Sequence, residues 1–129
     1  MTVDLICLLI LALWSIPLNH IPAIARVSAS GVKWAMGNRD TMPETASWVG
    51  RADRAQRNHH DNLAMIAAVI LTAQVTGQTD GVTAIAAIIT VALRILHGVA
   101  YIAGIGPVRS LAYLGALVAM LVIVWRIFS

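Results

Sequence analysis

Charged and aromatic residues are scarce in this 129-residue chain: Asp, Glu, Lys and Arg make up 12% of it, and Phe, Trp and Tyr 5%. Hydrophobic residues account for 59%. A composition this apolar is typical of an integral membrane protein and argues against a soluble globular domain. A length of 129 residues suits one hydrophobic unit, so we expect residues 1–129 to form a single domain.

Cysteine is almost absent, since Cys7 is the only one. An internal disulfide is therefore excluded, and the position of Cys7 in an apolar run predicts a small core side chain rather than a nucleophile or metal ligand. His59 and His60 are adjacent and project about 100° apart on a helix, which is poor spacing for metal ligands. We expect no metal site, and thiol chemistry would need a thiol from a second molecule.

Four stretches predict membrane-spanning helices, and hence an all-α, four-helix integral membrane bundle. They are residues 5–25, 62–76, 82–105 and 107–127. Because a span needs about 20 apolar residues, the second stretch must extend back to about Trp48, with its polar half at the headgroups and its polar face towards the bundle. The first stretch lacks the basic start and cleavage site of a signal peptide, so we interpret it as a retained helix kinked by Pro17 and Pro22. Residues 28–46 are predicted to form a loop.

The basic residues are unevenly distributed: six of the nine Lys and Arg residues lie between residues 26 and 57. Such residues concentrate in cytoplasmic loops, so we place this segment in the cytoplasm and both termini outside. Membrane orientation accounts for the net charge of +3, and we expect membrane lipid rather than nucleic acid as a partner. The topology then brings residues 51–61, 94–101 and 109–113 to one membrane face.

Arg94 is informative because a charge inside a span is costly unless it faces a protein or water-filled interior. Buried charges are normally paired, so we prefer an ion pair between Arg94 and Asp61 to direct ligand contact by these residues. Helical spacings of three, four and seven residues align two polar stripes. They are Arg51, Arg54, Asn58 and Asp61, and Arg94, His97 and Tyr101.

The fourth predicted span begins in a way that favours an anion. Pro107 suits the first helical position, which puts Arg109 and Ser110 in the first turn. Free backbone N–H groups and the positive end of the helix dipole stabilise negative charge there. A thiolate would suit this position.

Two independent motifs resemble those of the MAPEG family, the membrane-associated proteins in eicosanoid and glutathione metabolism. Residues 51–62, RADRAQRNHHDN, resemble the family's second-helix signature. Residues 94–101, RILHGVAY, and 109–113, RSLAY, resemble its third-helix and fourth-helix signatures. Asp61 departs from the pattern, which usually carries the longer Glu there. The chain resembles bacterial members of the family, which implies a bacterial inner membrane as its location.

The resemblance implies a four-helix homotrimer that holds glutathione between adjacent subunits near the cytoplasmic face. It implies that Arg109 stabilises the glutathione thiolate and that Ser110 assists. The resemblance also implies that glutathione is held by Arg54, Arg57, Asn58, Asp61, Arg94, His97, Tyr101 and Tyr113.

These observations favour a glutathione-dependent transferase or peroxidase that acts on a lipophilic electrophile entering from the bilayer. They leave conjugation, peroxide reduction and isomerisation open. The alternative is a non-catalytic membrane scaffold or accessory subunit, in which the polar stripes join subunits. A proton-coupled exporter fits poorly, because Asp4 is the only carboxylate near the first span.

Overall fold

The computed structural model describes residues 1–129 and contains four helices and no strands. The helices are α1 (Val3–Met36), α2 (Ser47–Val75), α3 (Gly81–Ala103) and α4 (Gly106–Phe128). The predicted all-α class is therefore confirmed, and α2, α3 and α4 begin and end within about two residues of the predicted positions, as helix ends usually do.

Three of the helices, α1, α3 and α4, are long and apolar enough to cross a membrane. The remaining helix, α2, has 29 residues, but its first half carries most of its Arg and Asp residues. This agrees with the expectation that the apolar part of α2 is too short to span on its own. Successive helices joined by short turns run antiparallel, which places the α3–α4 turn at one end of the bundle, here called the cleft end. The α2–α3 turn lies at the other end, here called the capped end.

Helix α1 extends further than predicted. It stays helical through Pro17 and Pro22, and Gly31 is its one residue with non-helical backbone angles, at φ 82°. Glycine adopts positive φ without the Cβ penalty of other residues, so the break falls there. The predicted loop therefore begins near Gly37 rather than at residue 28.

An ion pair joins α1 to α2 just beyond the apolar stretch of α1. The guanidinium of Arg26 donates to the carboxylate of Asp53 on α2, and both side chains are mostly buried. Beyond the break, the indole Nε1 of Trp34 donates to the backbone carbonyl of Thr41 at 2.7 Å. These contacts hold the end of α1 against α2 and fold the connecting segment back on it.

The capped end is closed by polar contacts. The Oδ1 atom of Asp80 accepts from the backbone N–H groups of Val82 at 2.8 Å and Thr83 at 3.0 Å. The hydroxyl of Thr83 accepts from the backbone N–H of Asp80 at 2.9 Å, which completes a capping box. From the last turn of α4, the Nε of Arg126 donates to Asp80 Oδ2 at 2.9 Å. These N–H donors hold the pKa of the Asp80 carboxyl below its usual value, with the Thr83 bond the largest cause.

The turn between α3 and α4 is fixed by an arginine from α2. Gly104 ends α3 in the left-handed region, at φ 81°. The Nε of Arg51 donates to the backbone carbonyl of Ile102 at 2.8 Å, which supplies one of the donors that a helix C-terminus lacks. A Cβ at Gly104 would lie 3.3 Å from that Nε, so glycine also leaves room for the arginine.

The hydrophobic core lies towards the capped end. Leu11, Ile66, Ile70 and Ile123 are almost completely buried there. Cys7 belongs to the same cluster and is 4% exposed, which confirms its prediction as a core side chain. Buried alanines line the helix contacts, as is typical of membrane bundles that associate by close packing.

Candidate functional site

A polar cleft of about 400 Å³ lies at the cleft end. Residues from α2, α3 and α4 line it, and six of them belong to the set predicted from the sequence. The lining residues are Asn58, His97, Tyr101, Arg109, Ser110, Tyr113 and Leu114. Residues that are more than 50 positions apart in the chain thus meet at one site, as the predicted topology requires.

Arg109 lies in the first turn of α4, because the helix begins at Gly106 with Pro107 in its first turn. Its guanidinium carbon is 4.7 Å from the centre of the Tyr101 ring, within the range of a cation–π contact. The guanidinium makes no hydrogen bond to another protein group, and the side chain is half-buried. Arg109 is therefore held in place by a ring face while its N–H donors remain free.

His97 joins α3 to α4 at the inner wall of the cleft. Its Nδ1 lies 3.0 Å from the backbone carbonyl of Arg109, so Nδ1 carries a proton and donates. Its ring is 5.6 Å from Tyr101 and 5.8 Å from Tyr113, measured between ring centres. The opposite atom, Nε2, is buried and has no partner. In the neutral ring, Nε2 is free to accept a hydrogen bond.

Arg94 lies beneath the cleft and is 2% exposed. Its Nη2 donates to the backbone carbonyl of Asn58 at 3.2 Å, and its guanidinium carbon is 6.0 Å from the Tyr113 ring centre. Its Nε has no partner, and neither has Oδ1 of Asn58. Buried polar groups are normally hydrogen-bonded, above all in a membrane. Three polar atoms without protein partners are thus concentrated at the cleft, in Asn58 and His97, which line it, and in Arg94, which lies beneath it.

The predicted ion pair between Arg94 and Asp61 is wrong for the protomer. The salt bridges in the structure are Arg26–Asp53 and Arg126–Asp80. Asp61 is exposed on α2, whereas Arg94 reaches the α2 backbone one turn earlier, at Asn58. The rotation of α2 about its axis therefore turns the carboxylate away from the bundle.

Two further residues of the predicted set also lie outside the cleft. Arg54 and Arg57 are exposed on the same outer surface of α2 as Asp61. Their spacing of three and four residues keeps Arg54, Arg57 and Asp61 on one helix face. The predicted stripe of Arg51, Arg54, Asn58 and Asp61 facing the bundle is therefore divided, because Asn58 lines the cleft whereas Arg54 and Asp61 are exposed. The protomer thus brings together Asn58, Arg94, His97, Tyr101, Arg109, Ser110 and Tyr113, and leaves this outer stripe of α2 without protein partners across from it.

Two residues have structural roles that the sequence did not indicate. His59 is 2% exposed, and its Nε2 lies 3.0 Å from the carbonyl of Leu11 and 3.2 Å from the hydroxyl of Ser15 on α1. Arg51 supports the C-terminus of α3, as described above. The acceptors include backbone carbonyls, which no pattern of side chains reveals.

The fold and the cleft together define an α-helical membrane protein with a polar cleft, lined by Arg109, near one end of its helices. A model of the MAPEG family matches residues 4–129, and the chain belongs to this family. The family as a whole is associated with glutathione and includes transferases and peroxidases beside other members. No curated protein and no solved structure matches the chain.

Proposed function

We propose that this protein is a membrane-bound, glutathione-dependent transferase or peroxidase that acts on lipophilic electrophiles. The observation that carries the proposal is the position of Arg109, whose free guanidinium lies in the first turn of α4 within the polar cleft. Ser110 lines the same cleft and adds a hydroxyl donor. Cationic groups and helix N-termini favour a thiolate over a thiol.

Glutathione fits the donors and acceptors of the cleft. The tripeptide brings two carboxylates, an ammonium group and the thiol that this chain lacks at the site. Guanidinium groups bind carboxylates with paired N–H donors, and the buried Nε of Arg94 has no other partner. Asn58 Oδ1 and His97 Nε2 add unpartnered acceptors for N–H groups. The residues proposed to hold glutathione are Arg54, Arg57, Asn58, Asp61, Arg94, His97, Tyr101 and Tyr113.

Bound glutathione supplies the nucleophilic sulfur, and the protein supplies the groups that keep it ionised. Arg109 and the first backbone N–H groups of α4 place positive charge in the cleft before the electrophile arrives, so this charge need not reorganise during the reaction. Tyr101 limits the movement of Arg109 by stacking against it. The roles of Arg109 and Ser110 are accordingly catalytic, whereas the other residues bind and orient the tripeptide.

A homotrimer would complete the site. Arg54, Arg57 and Asp61 are exposed and do not line the cleft of their own protomer. If α2 packs against the cleft of an adjacent subunit, the two groups of residues face the same ligand. This arrangement also removes three charged side chains from lipid contact, where they are costly.

The acceptor substrate would arrive through the membrane. Leu114 lines the cleft, and Leu111 on the same helix is 70% exposed. An apolar molecule dissolved in the bilayer can therefore approach along α4 without crossing water. The proposed orientation places the cleft at the cytoplasmic face, where the basic segment of the chain lies.

A thermal-shift series tests this proposal. Glutathione should raise the melting temperature of the purified protein, because a ligand that binds only the folded state stabilises it. An analogue with a methyl group in place of the thiol should bind too, but only glutathione should give the ultraviolet absorbance of a bound thiolate. Isothermal titration of the same samples gives the affinity.

The same series separates the enzyme from a membrane scaffold. The exposed stripe of Arg54, Arg57 and Asp61 is the observation that favours a scaffold, since such a stripe can also join subunits. A scaffold predicts no response of the melting temperature to glutathione. It also predicts that Asp61→Ala dissociates the oligomer, measured by light scattering in detergent. No heat and no thermal shift at millimolar glutathione, with a folded oligomer, would contradict the enzyme proposal.

A further inference from the structure

An apolar groove of about 310 Å³ lies between α3 and α4, away from the cleft. Its floor is formed by Ala86 and Ala119, which are 4% and 7% exposed, and its rims by the exposed side chains of Ile85 and Val118. Both helices have the length and hydropathy of membrane spans. The groove therefore opens onto the hydrocarbon of the bilayer.

The groove is a slot that is closed at its inner end. It runs from Val82 to Ile89 on α3 and from Val122 to Gly115 on α4, which is about 10 Å on each helix at 1.5 Å per residue. The side chain of Leu93 packs into the notch left by Gly115, where an added Cβ would lie 2.7 Å from Leu93 Cδ1. The slot extends over about two-thirds of the roughly 15 Å depth of one hydrocarbon leaflet. It could therefore hold most of one acyl chain within that leaflet.

Charged groups lie just beyond the open end of the slot. Asp80 precedes Val82 by two residues, and Arg126 follows Val122 by one helical turn. The Nε and Nη2 groups of Arg126 donate to Asp80, and Nη1 has no protein partner. Both side chains are about one-third exposed, at 34% and 33%. A carboxylate and a guanidinium thus lie side by side where 23-residue spans reach the membrane surface.

We propose that this slot is a binding site for a zwitterionic phospholipid of the leaflet at the capped end. One acyl chain occupies the slot, the phosphate binds the free face of Arg126, and the headgroup ammonium binds Asp80. The paired charges match a zwitterion better than an anionic headgroup, which Asp80 would repel. The site lies at the opposite end of the spans from the cleft and does not depend on glutathione.

Native mass spectrometry of the full-length protein tests the site, with palmitoyl-oleoyl phosphatidylethanolamine as the probe. Wild-type protein should retain one lipid per protomer. Ile85→Trp, which fills the slot from its rim, should weaken retention about tenfold, a change equal to the loss of one good contact. Ile88→Trp is the matched control, because Ile88 is an exposed isoleucine of the same helix outside the groove. Val118→Trp fills the slot from the other helix and replaces Ile85→Trp if that variant does not fold.

Three results would overturn the proposal. The first is equal lipid retention by the Ile85 and Ile88 variants. The second is a change of oligomeric state in Ile85→Trp with no change in lipid, which would make the groove a contact between copies of the chain. The third is equal retention of phosphatidylglycerol with the same acyl chains, or unchanged retention by Arg126→Gln, either of which would remove the role of the headgroup.

Discussion

The two ends of the bundle treat their polar groups in opposite ways. At the capped end, Asp80 accepts hydrogen bonds from the α3 backbone and from Arg126. At the cleft end, Asn58, Arg94 and His97 each keep a buried atom without a partner. Asp4 Oδ1 is the one such atom near the capped end. The hydrogen bonds of the capped end stabilise the fold and leave only the outer face of the Arg126–Asp80 pair for the proposed headgroup. The cleft end instead keeps polar atoms for which the chain supplies no partner.

The largest expected effect is at the cleft end, on the rate of the proposed reaction. Arg109→Ala should lower kcat for conjugation about 100-fold, the usual cost of removing one donor that stabilises developing or bound anionic charge. The affinity for glutathione should change much less, because other groups hold the carboxylates. Steady-state kinetics and isothermal titration measure the two quantities. Arg126→Gln, at the capped end, is the control and should leave kcat unchanged.

A second substitution tests whether Arg94 stabilises the fold or binds glutathione. Arg94→Met replaces a buried cation that has no carboxylate partner with an apolar side chain, which removes the cost of burying the charge. We therefore expect the melting temperature without ligand to stay or rise, and the glutathione-induced shift to disappear. Arg94→Lys keeps the charge and controls for it. A large loss of stability in Arg94→Met would show that Arg94 belongs to the fold instead.

At the capped end we expect a smaller effect, on the stability of the protein and not on catalysis or glutathione binding. Asp80→Ala removes the helix cap and the ion pair with Arg126, so the melting temperature should fall by a few degrees while kcat and the affinity for glutathione stay unchanged. Asp80→Asn retains a side-chain cap and should recover part of the loss. Reduced activity in Asp80→Ala at a temperature where the protein is folded would contradict the separation of the two ends.

The smallest effect concerns pH. Because the pKa of Asp80 is lower in the folded protein than its usual value, the ionised form stabilises the fold. That contribution is complete above the usual carboxyl pKa and is lost as the pH falls through the lower, folded pKa. The difference in melting temperature between wild type and Asp80→Asn should therefore shrink on acidification. A constant difference between neutral and acidic pH would exclude this linkage.

Much of the architecture could be predicted from residue patterns, for identifiable reasons. Apolar runs of membrane length predicted three helices, and the polar first half of α2 was inferred because its apolar part was too short. Helical spacing and antiparallel topology then predicted which residues meet, since both depend on position in the chain alone. Segments 51–61, 94–101 and 109–113 were therefore predicted to share one membrane face, and Asn58, His97, Tyr101, Arg109 and Tyr113 from these segments lie in one cleft.

The contacts that could not be predicted depend on the rotation of a helix about its axis or on backbone carbonyl groups, and residue types encode neither. Asp61 and Asn58 are one turn apart, and the rotation of α2 decides which of them meets Arg94. Arg51 binds a backbone carbonyl, and every residue offers one. Helix α1 continues to Met36 through a segment that was predicted as a loop, beyond Arg26, which pairs with Asp53 on α2, and its non-helical residue is Gly31.

The bond from His97 to the carbonyl of Arg109 has a consequence for experiments on this protein. The imidazole of His97 both lines the cleft and joins α3 to α4 through this hydrogen bond. Replacing it would shift the arginine even if no contact with a ligand were lost, so a defect at position 97 would not by itself identify a ligand-binding histidine. Only a substitution that keeps the hydrogen bond made by Nδ1 while changing Nε2 can separate a ligand-binding role from a structural one.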